Sequence, residues 1–435
     1  MTMASTTARR RGGWYYGWNI VAVCVLSQAA ANGVPFNSMS LFLRPWSQEL
    51  HAPISDILLA YLPMMIFMCL MSPLAGALAD RRPARLLMGI GLAGVALTCL
   101  AMSAVTKVWQ VQALYALALP IPISFSTAVV CNPVVSRWFV KRAGLALGIC
   151  AFGIGIAGIV LPPVIAEMMP VIGWRNIWMF TGLTTGLVIL PIVLLVMRDR
   201  PTEREGLHYV AGEGGAQLHH HGHGGGGQLR WIDIVKRKNF LLIAAAFLAI
   251  GFPFIGCIQN IAPIALSHGF AQKTAGMLLS VANISHVIST LLMGAMSDKI
   301  GNRVPLVILS LAAAGGALLM GFGSGLAAFA GGAALVGFCG GMFPVLAAAV
   351  GVEFGAAEMG RAFGVLMTLL IVPSVMPSLV AHVQEVTGSY SPVLLGMAIL
   401  ALMSVVLVLQ LRERHHGHAT PEEKEAALHA VDPIG

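Results

Sequence analysis

Few side chains of this 435-residue chain could hold or pass a proton in apolar surroundings, and His286 is the one that falls in the middle of a long apolar run. Asn283 precedes it and Thr290 follows it at three- and four-residue spacing, so on a helix the three share one face. An imidazole titrates near pH ~6.5, so a cavity open to an acidic side can load it and one open to a neutral side can unload it. The plainer reading is a packed histidine bonded to a backbone carbonyl or to Asn283. Other polar candidates are amides: Asn32 and Asn37 in the first apolar run, Gln259 and Asn260 in the seventh. Polar groups in lipid need partners, so these amides and the His286 stripe are the expected lining of a solute or proton pathway.

The elements that must position them are membrane helices. The chain is 57% hydrophobic and 10% charged, with a mean hydropathy of +0.82, where soluble domains carry about 25% charge. Spans of roughly 20 residues cross a bilayer, and hydropathy supplies twelve. In the first half they lie at 17–43, 54–79, 86–105, 109–134, 144–166 and 175–197. In the second half they lie at 239–266, 274–297, 304–323, 326–352, 361–384 and 390–411. The expected fold class is an all-α integral membrane protein of two pseudo-symmetric six-helix bundles, residues 17–197 and 239–411. A tail at 1–16, a linker at 198–238 and a tail at 412–435 complete it.

An internal repeat supports the halving. The order Gly76, Asp80, Arg81, Arg85 returns as Gly294, Asp298, Lys299, Arg303, with the two glycines 218 residues apart. The pair Gly144 and Gly148, following a basic loop, recurs as Gly360 and Gly364 at an offset of 216. Repeated halves are how transporters are commonly built. The bases are also sided: with the N-terminus cytoplasmic, 22 of the 26 Lys and Arg fall on inner segments, leaving Arg44, Lys107, Arg175 and Lys273 outside. The positive-inside rule then puts both termini in the cytoplasm. This bias accounts for the net charge of +8 without a nucleic-acid partner.

The turn Gly-x-x-x-Asp-Arg/Lys-x-Gly-x-Arg resembles the loops between helices 2 and 3, and 8 and 9, of the major facilitator superfamily. The second copy fits closely. The first departs, with Pro83 and Ala84 where that family has Gly and a base. The resemblance implies that Asp80 and Asp298 pair with bases at the inner face, among Arg81, Arg85, Arg142, Lys299 and Arg303, and hold a gate closed until the halves rock apart. The alternative is a basic turn that only fixes orientation. The run Trp138-Phe139, Lys141-Arg142, Leu145-Ala146, Gly148, with the Gly17-Trp18 opening and Pro35 to Phe42, is similar to the monocarboxylate porter and oxalate:formate antiporter group. That group implies a small carboxylate moved with a proton. In its proton-coupled members an acid and an Arg on helix 8 and a Lys on helix 1 do the work, and here His286, Thr290 and Asn37 stand near those places. No fixed cation remains at the midplane, so a monocarboxylate entering with its proton fits better than a dicarboxylate.

Other readings are weaker. Ala29 to Ala31 could end a signal peptide, but the apolar run continues to Leu43. The linker holds His219, His220, His221 and His223 among glycines, a flexible composition that could also bind metal. The seven cysteines each stand alone in a span and read as apolar fillers, so neither a disulfide framework nor a metal site is expected. No nucleophile-and-base set suggests an enzyme, and no cofactor is expected. Helix 4 contains no base, and Gly153, Gly155 and Gly158 lack the proline that a drug:proton antiporter would carry. The sequence therefore predicts a secondary transporter in a bacterial inner membrane, able to act as a monomer, symporting a small organic solute, a monocarboxylate with H+. Efflux of a neutral or drug-like solute is the alternative, and metal-ion transport through the His-rich loop a weaker one. Pro120 and Pro122 predict a bend in span 4; Pro253 and Pro263 in span 7 and Pro373 and Pro377 in span 11 predict broken helices.

Overall fold

The computed structural model describes residues 15–139, 143–199 and 234–411, which are helices and short turns with no strand among them. The tails and most of the linker, including the His-rich run, lie outside the described residues. Among the described residues eleven stretches are long and apolar enough to cross a membrane, and one of them, Ala146–Val196, has 51 residues. Its helix Ala143–Thr184 is interrupted at Gly173 (φ 75°, ψ 162°), which separates spans 5 and 6 and makes twelve. Only glycine takes that backbone without strain.

The prolines break their spans as physical chemistry requires, though not always where the sequence suggests. Span 1 is Gly17–Asn32 and a π turn Gly33–Asn37 around Pro35, and a separate helix, Met39–Leu50, follows it. The carbonyls loosened there find new donors: Ser38 Oγ donates to Gly33 O at 3.0 Å and Tyr115 OH to Pro35 O at 3.0 Å. In span 4 the expected bend at Pro120 and Pro122 is displaced. Pro120 begins the helix Pro120–Ser126, where its missing N–H costs nothing, after a π turn Leu114–Ala118. The break falls at extended Thr127 (φ −117°, ψ −162°), before Ala128–Trp138. In span 7, Pro253 and Pro263 lie inside an unbroken helix, Lys238–Ser267. In span 11, 3-10 turns Leu369–Ile371 and Pro373–Val375 precede Met376–Thr387. Either side of the turn expected between spans 10 and 11, the apolar stretches are Gly325–Phe354 and Ala362–Thr387, and the side chains of residues 355–361 between them lie outside what is described.

The chain divides into two compact units, Met1–His220 with Ala265–Ser280, and His221–Ile264 with Val281–Gly435. Residues 265–280, the hairpin between spans 7 and 8, thus cluster with the first unit. Gln272 Nε2 donates to Leu41 O at 3.0 Å and Ser280 Oγ to Ile159 O at 2.6 Å. A Cβ on Gly276 would strike Pro162 O and Ala166, so glycine permits the approach. Lys273 and Glu167 add an exposed ion pair at 2.5 Å, the kind that contributes little.

The first unit is tied at both ends by aromatics. At the end where span 1 begins, Tyr15, Tyr16 and Trp18 pack on Trp138 and Phe139, and Trp138 Nε1 donates to Arg198 O at 3.0 Å. At the far end Phe42, Trp46, Tyr115, Trp174 and Trp178 form one cluster. Beside it Arg175 Nη2 meets Glu49 Oε1 at 2.7 Å and Trp174 Nε1 donates to Glu49 Oε2 at 2.5 Å.

Candidate functional site

His286 is held by span 7 on one side and span 10 on another, all within the second unit. Its ring meets Phe254 edge-on, centroids 5.6 Å apart at 86°. Phe254 in turn packs on Phe343 at 6.3 Å. Its other support is Gly340, where any Cβ would overlap the imidazole. The neighbouring glycines of span 10 serve the same closeness: a Cβ on Gly337 would enter the Ala282 carbonyl, and one on Gly341 would meet Ser289. Ser289 Oγ donates to Phe338 O, pinning the two helices. The small-residue spacing from Gly337 to Gly341 therefore brings span 8 against span 10, with His286 at the contact and still half-buried rather than sealed.

The expected stripe is present but its members differ. Thr290 Oγ1 donates to His286 O at 2.9 Å, so this hydroxyl is engaged with its own helix. Asn283 and Thr290, like His286, are half-buried. In span 7 Gln259 and Asn260 are buried. Asn260 Nδ2 donates to Gly256 O at 2.9 Å and to Pro377 O of span 11 at 3.0 Å, while its Oδ1 has no partner among the described residues. In the first unit, buried Asn32 donates to Gln28 O at 3.0 Å, and Asn37 Nδ2 donates to Ile154 O of span 5 at 3.0 Å. Asn32, Asn37 and Asn260, singled out as pathway residues, thus spend donors on backbone carbonyls.

Of the gate charges, the Asp80 and Asp298 side chains and all of Arg142 lie outside what is described. Arg81, Arg85 and Lys299 are exposed, and Arg303 Nη2 donates to Leu409 O at the end of span 12. A carboxylate that sequence reasoning missed sits nearby: Asp199 Oδ1 accepts the Ala84 N–H at 2.5 Å. It thereby serves the N-terminus of Ala84–Ser103, where a negative charge is favoured. The signal was an acid just after span 6, in a segment read only as linker. A cavity of about 370 Å³ bordered by spans 1, 5 and 6 has Leu26, Val160 and Phe180 in its wall and no ionisable side chain. It does not suit a carboxylate.

The model of the Major Facilitator Superfamily matches residues 21–271 and 252–433. The chain belongs to that superfamily, is a multi-pass membrane protein, and is not an enzyme. Among curated relatives, the Oxalate:formate antiporter of Oxalobacter formigenes is 24% identical over 65% of this chain and 64% of its own length. The chain thus spans just under two thirds of that relative, and half of the MFS-type transporter pytF of Aspergillus terreus. Monocarboxylate transporter 11 of Homo sapiens is 25% identical over 88% of this chain and 77% of its own. Among solved structures, a nucleoside transporter aligns over 92% of this chain and 100% of its own at 13% identity, with a TM-score of 0.72, a likeness of fold.

Proposed function

We propose that this chain is a secondary transporter that carries a small monocarboxylate together with a proton by alternating access. The observation that carries the reading is His286, an ionisable side chain midway along span 8, half-buried and steadied by Phe254 and Gly340. Ionisable groups at membrane depth are costly and are kept for transport more often than not. A protonated imidazole can hold a carboxylate where no lysine or arginine stands, and once the proton and anion leave together the ring is neutral again. The likeness to the oxalate:formate antiporter and to monocarboxylate transporter 11 supports a carboxylate. The excess of bases on the side of the termini supports a cytoplasmic placement of that side, in what we read as a bacterial inner membrane.

A second reading, export of a neutral or drug-like solute, is favoured by the Phe254 and Phe343 rings beside His286. Uptake of labelled monocarboxylates and matched neutral solutes into proteoliposomes separates the two. Wild type is expected to accumulate a monocarboxylate under an inward proton gradient and His286→Ala to fail. Uptake indifferent to both gradient and substitution would reduce His286 to a packing residue. Neutral-solute movement alone would replace the carboxylate reading.

A further inference from the structure

Each cysteine is alone in its own span, but spans 1, 4 and 5 bring three together. The sulfurs of Cys24, Cys131 and Cys150 all lie within 4.8 Å of one another, and all three residues are buried. They belong to one apolar core with Ile20, Val130, Val134 and Trp138. A buried polar side chain reaches them. Gln28, fully buried, donates from Nε2 to Cys150 Sγ at 3.0 Å and to Cys150 O at 2.8 Å. Its Oε1 has no partner among the described residues, a condition rare enough in native proteins to require a reason.

We infer that Cys24, Cys131 and Cys150 form a trithiol site for a trivalent thiophilic metalloid, the chemistry of arsenous acid. Charge selects the class. Three thiolates in an apolar core would carry three negative charges, which is expensive without compensation. A monovalent or divalent soft ion such as Cu(I) or Zn²⁺ leaves the full set anionic, and Zn²⁺ also seeks a fourth ligand. A trivalent centre leaves it neutral and is satisfied by three sulfurs in a pyramid. Neutral arsenous acid needs no ion to enter the membrane. Three As–O bonds break and three As–S bonds form; each thiol proton leaves with a hydroxyl as water, and the oxidation state of arsenic is unchanged. The product staples three spans of the first unit.

The experiment incubates the reduced, full-length protein in detergent with arsenite, desalts it, and measures retained arsenic, X-ray absorption at the arsenic edge and the unfolding midpoint. One arsenic per chain, three sulfur neighbours and a raised midpoint are expected for wild type and for Cys69→Ala, whose thiol is outside the cluster. Cys24→Ala, Cys131→Ala and Cys150→Ala are each expected to retain at least tenfold less and to show no midpoint shift. Should these variants fail to fold, the wild-type absorption spectrum decides alone. Mixed oxygen and sulfur neighbours, no retained arsenic, retention unchanged in the variants, or equal retention of Cu(I) or Zn²⁺ would each overturn the assignment.

Discussion

In the first unit Asn37 of span 1 donates to the carbonyl of Ile154 in span 5. In the second unit Asn260 of span 7 donates to the carbonyl of Pro377 in span 11, at the same 3.0 Å. Donor and acceptor are each displaced by 223 residues, so the two halves keep the same tie between their first and fifth helices. The backbone beneath it differs: Asn37 ends a π turn around Pro35, whereas Asn260 lies inside an unbroken helix and is fully buried. His286 has no such twin. The repeat that matches Gly294 with Gly76 puts Met68 at its place in span 2. Duplication supplied the scaffold twice, and the ionisable group at mid-span belongs to one half alone.

The largest expected effect comes from the unmatched feature. Gly340→Leu drives carbon into the imidazole, with an overpacking cost of about 1–3 kcal/mol and loss of gradient-driven uptake. Combining it with His286→Ala should recover stability but not uptake. A double-mutant cycle on the unfolding midpoint, read alongside proteoliposome uptake, checks this. Additive stabilities would mean that Gly340 and His286 do not contact each other.

The paired ties come next. Asn260→Leu should cost about 1–2 kcal/mol, the upper range for interhelical hydrogen bonds in membranes. Asn37→Leu should cost less, about 0.6 kcal/mol, because its half-buried site can be rehydrated. Denaturant titrations in detergent would rank them. Equal losses would make the two ties equivalent despite their different backbones, and no loss at either would mean the shared geometry carries no stability.

The smallest effect belongs to the far end of the first unit, where Glu49 meets Arg175 and Trp174. Partial burial pushes the Glu49 carboxyl up, but hydrogen bonds from Arg175 and Trp174 and the guanidinium charge outweigh it, so the net direction is down. A depressed carboxyl stabilises above its unfolded pKa and loses that contribution as pH falls through the folded one. Both side chains are partly exposed, 34% for Arg175 and 46% for Glu49, which limits the pair to about 1 kcal/mol or less. The gap in unfolding midpoint between wild type and Glu49→Gln should be present at neutral pH and close below about pH 4. A gap that persists in acid would assign the effect to packing.

Much of the scaffold was legible in the sequence because lipid imposes simple rules. A span must be apolar and about 20 residues long, and bases are sided, so twelve spans and the halfway repeat could be read directly. The breaks were less legible. Pro120 and Pro122 marked span 4, yet the interruption falls beyond them at Thr127, because the prolines sit in the first turn of their own helix, Pro120–Ser126, where a missing N–H breaks no bond.

The site divides in the same way. That His286 sits at mid-span follows from counting residues along an apolar run. That it rests on Gly340 and Phe254 could not be counted, because those residues are 54 and 32 positions away in sequence. The amides looked alike in sequence, and only packing showed that Asn37 and Asn260 bridge helices while Asn32 bonds to its own. Cys24, Cys131 and Cys150 share no local spacing, so no sequence pattern could join them. Composition and periodicity determine which segments enter the membrane, because each helix satisfies its own backbone there. Which side chains meet is decided by how closely glycine lets those helices approach, and that is a property of the tertiary structure.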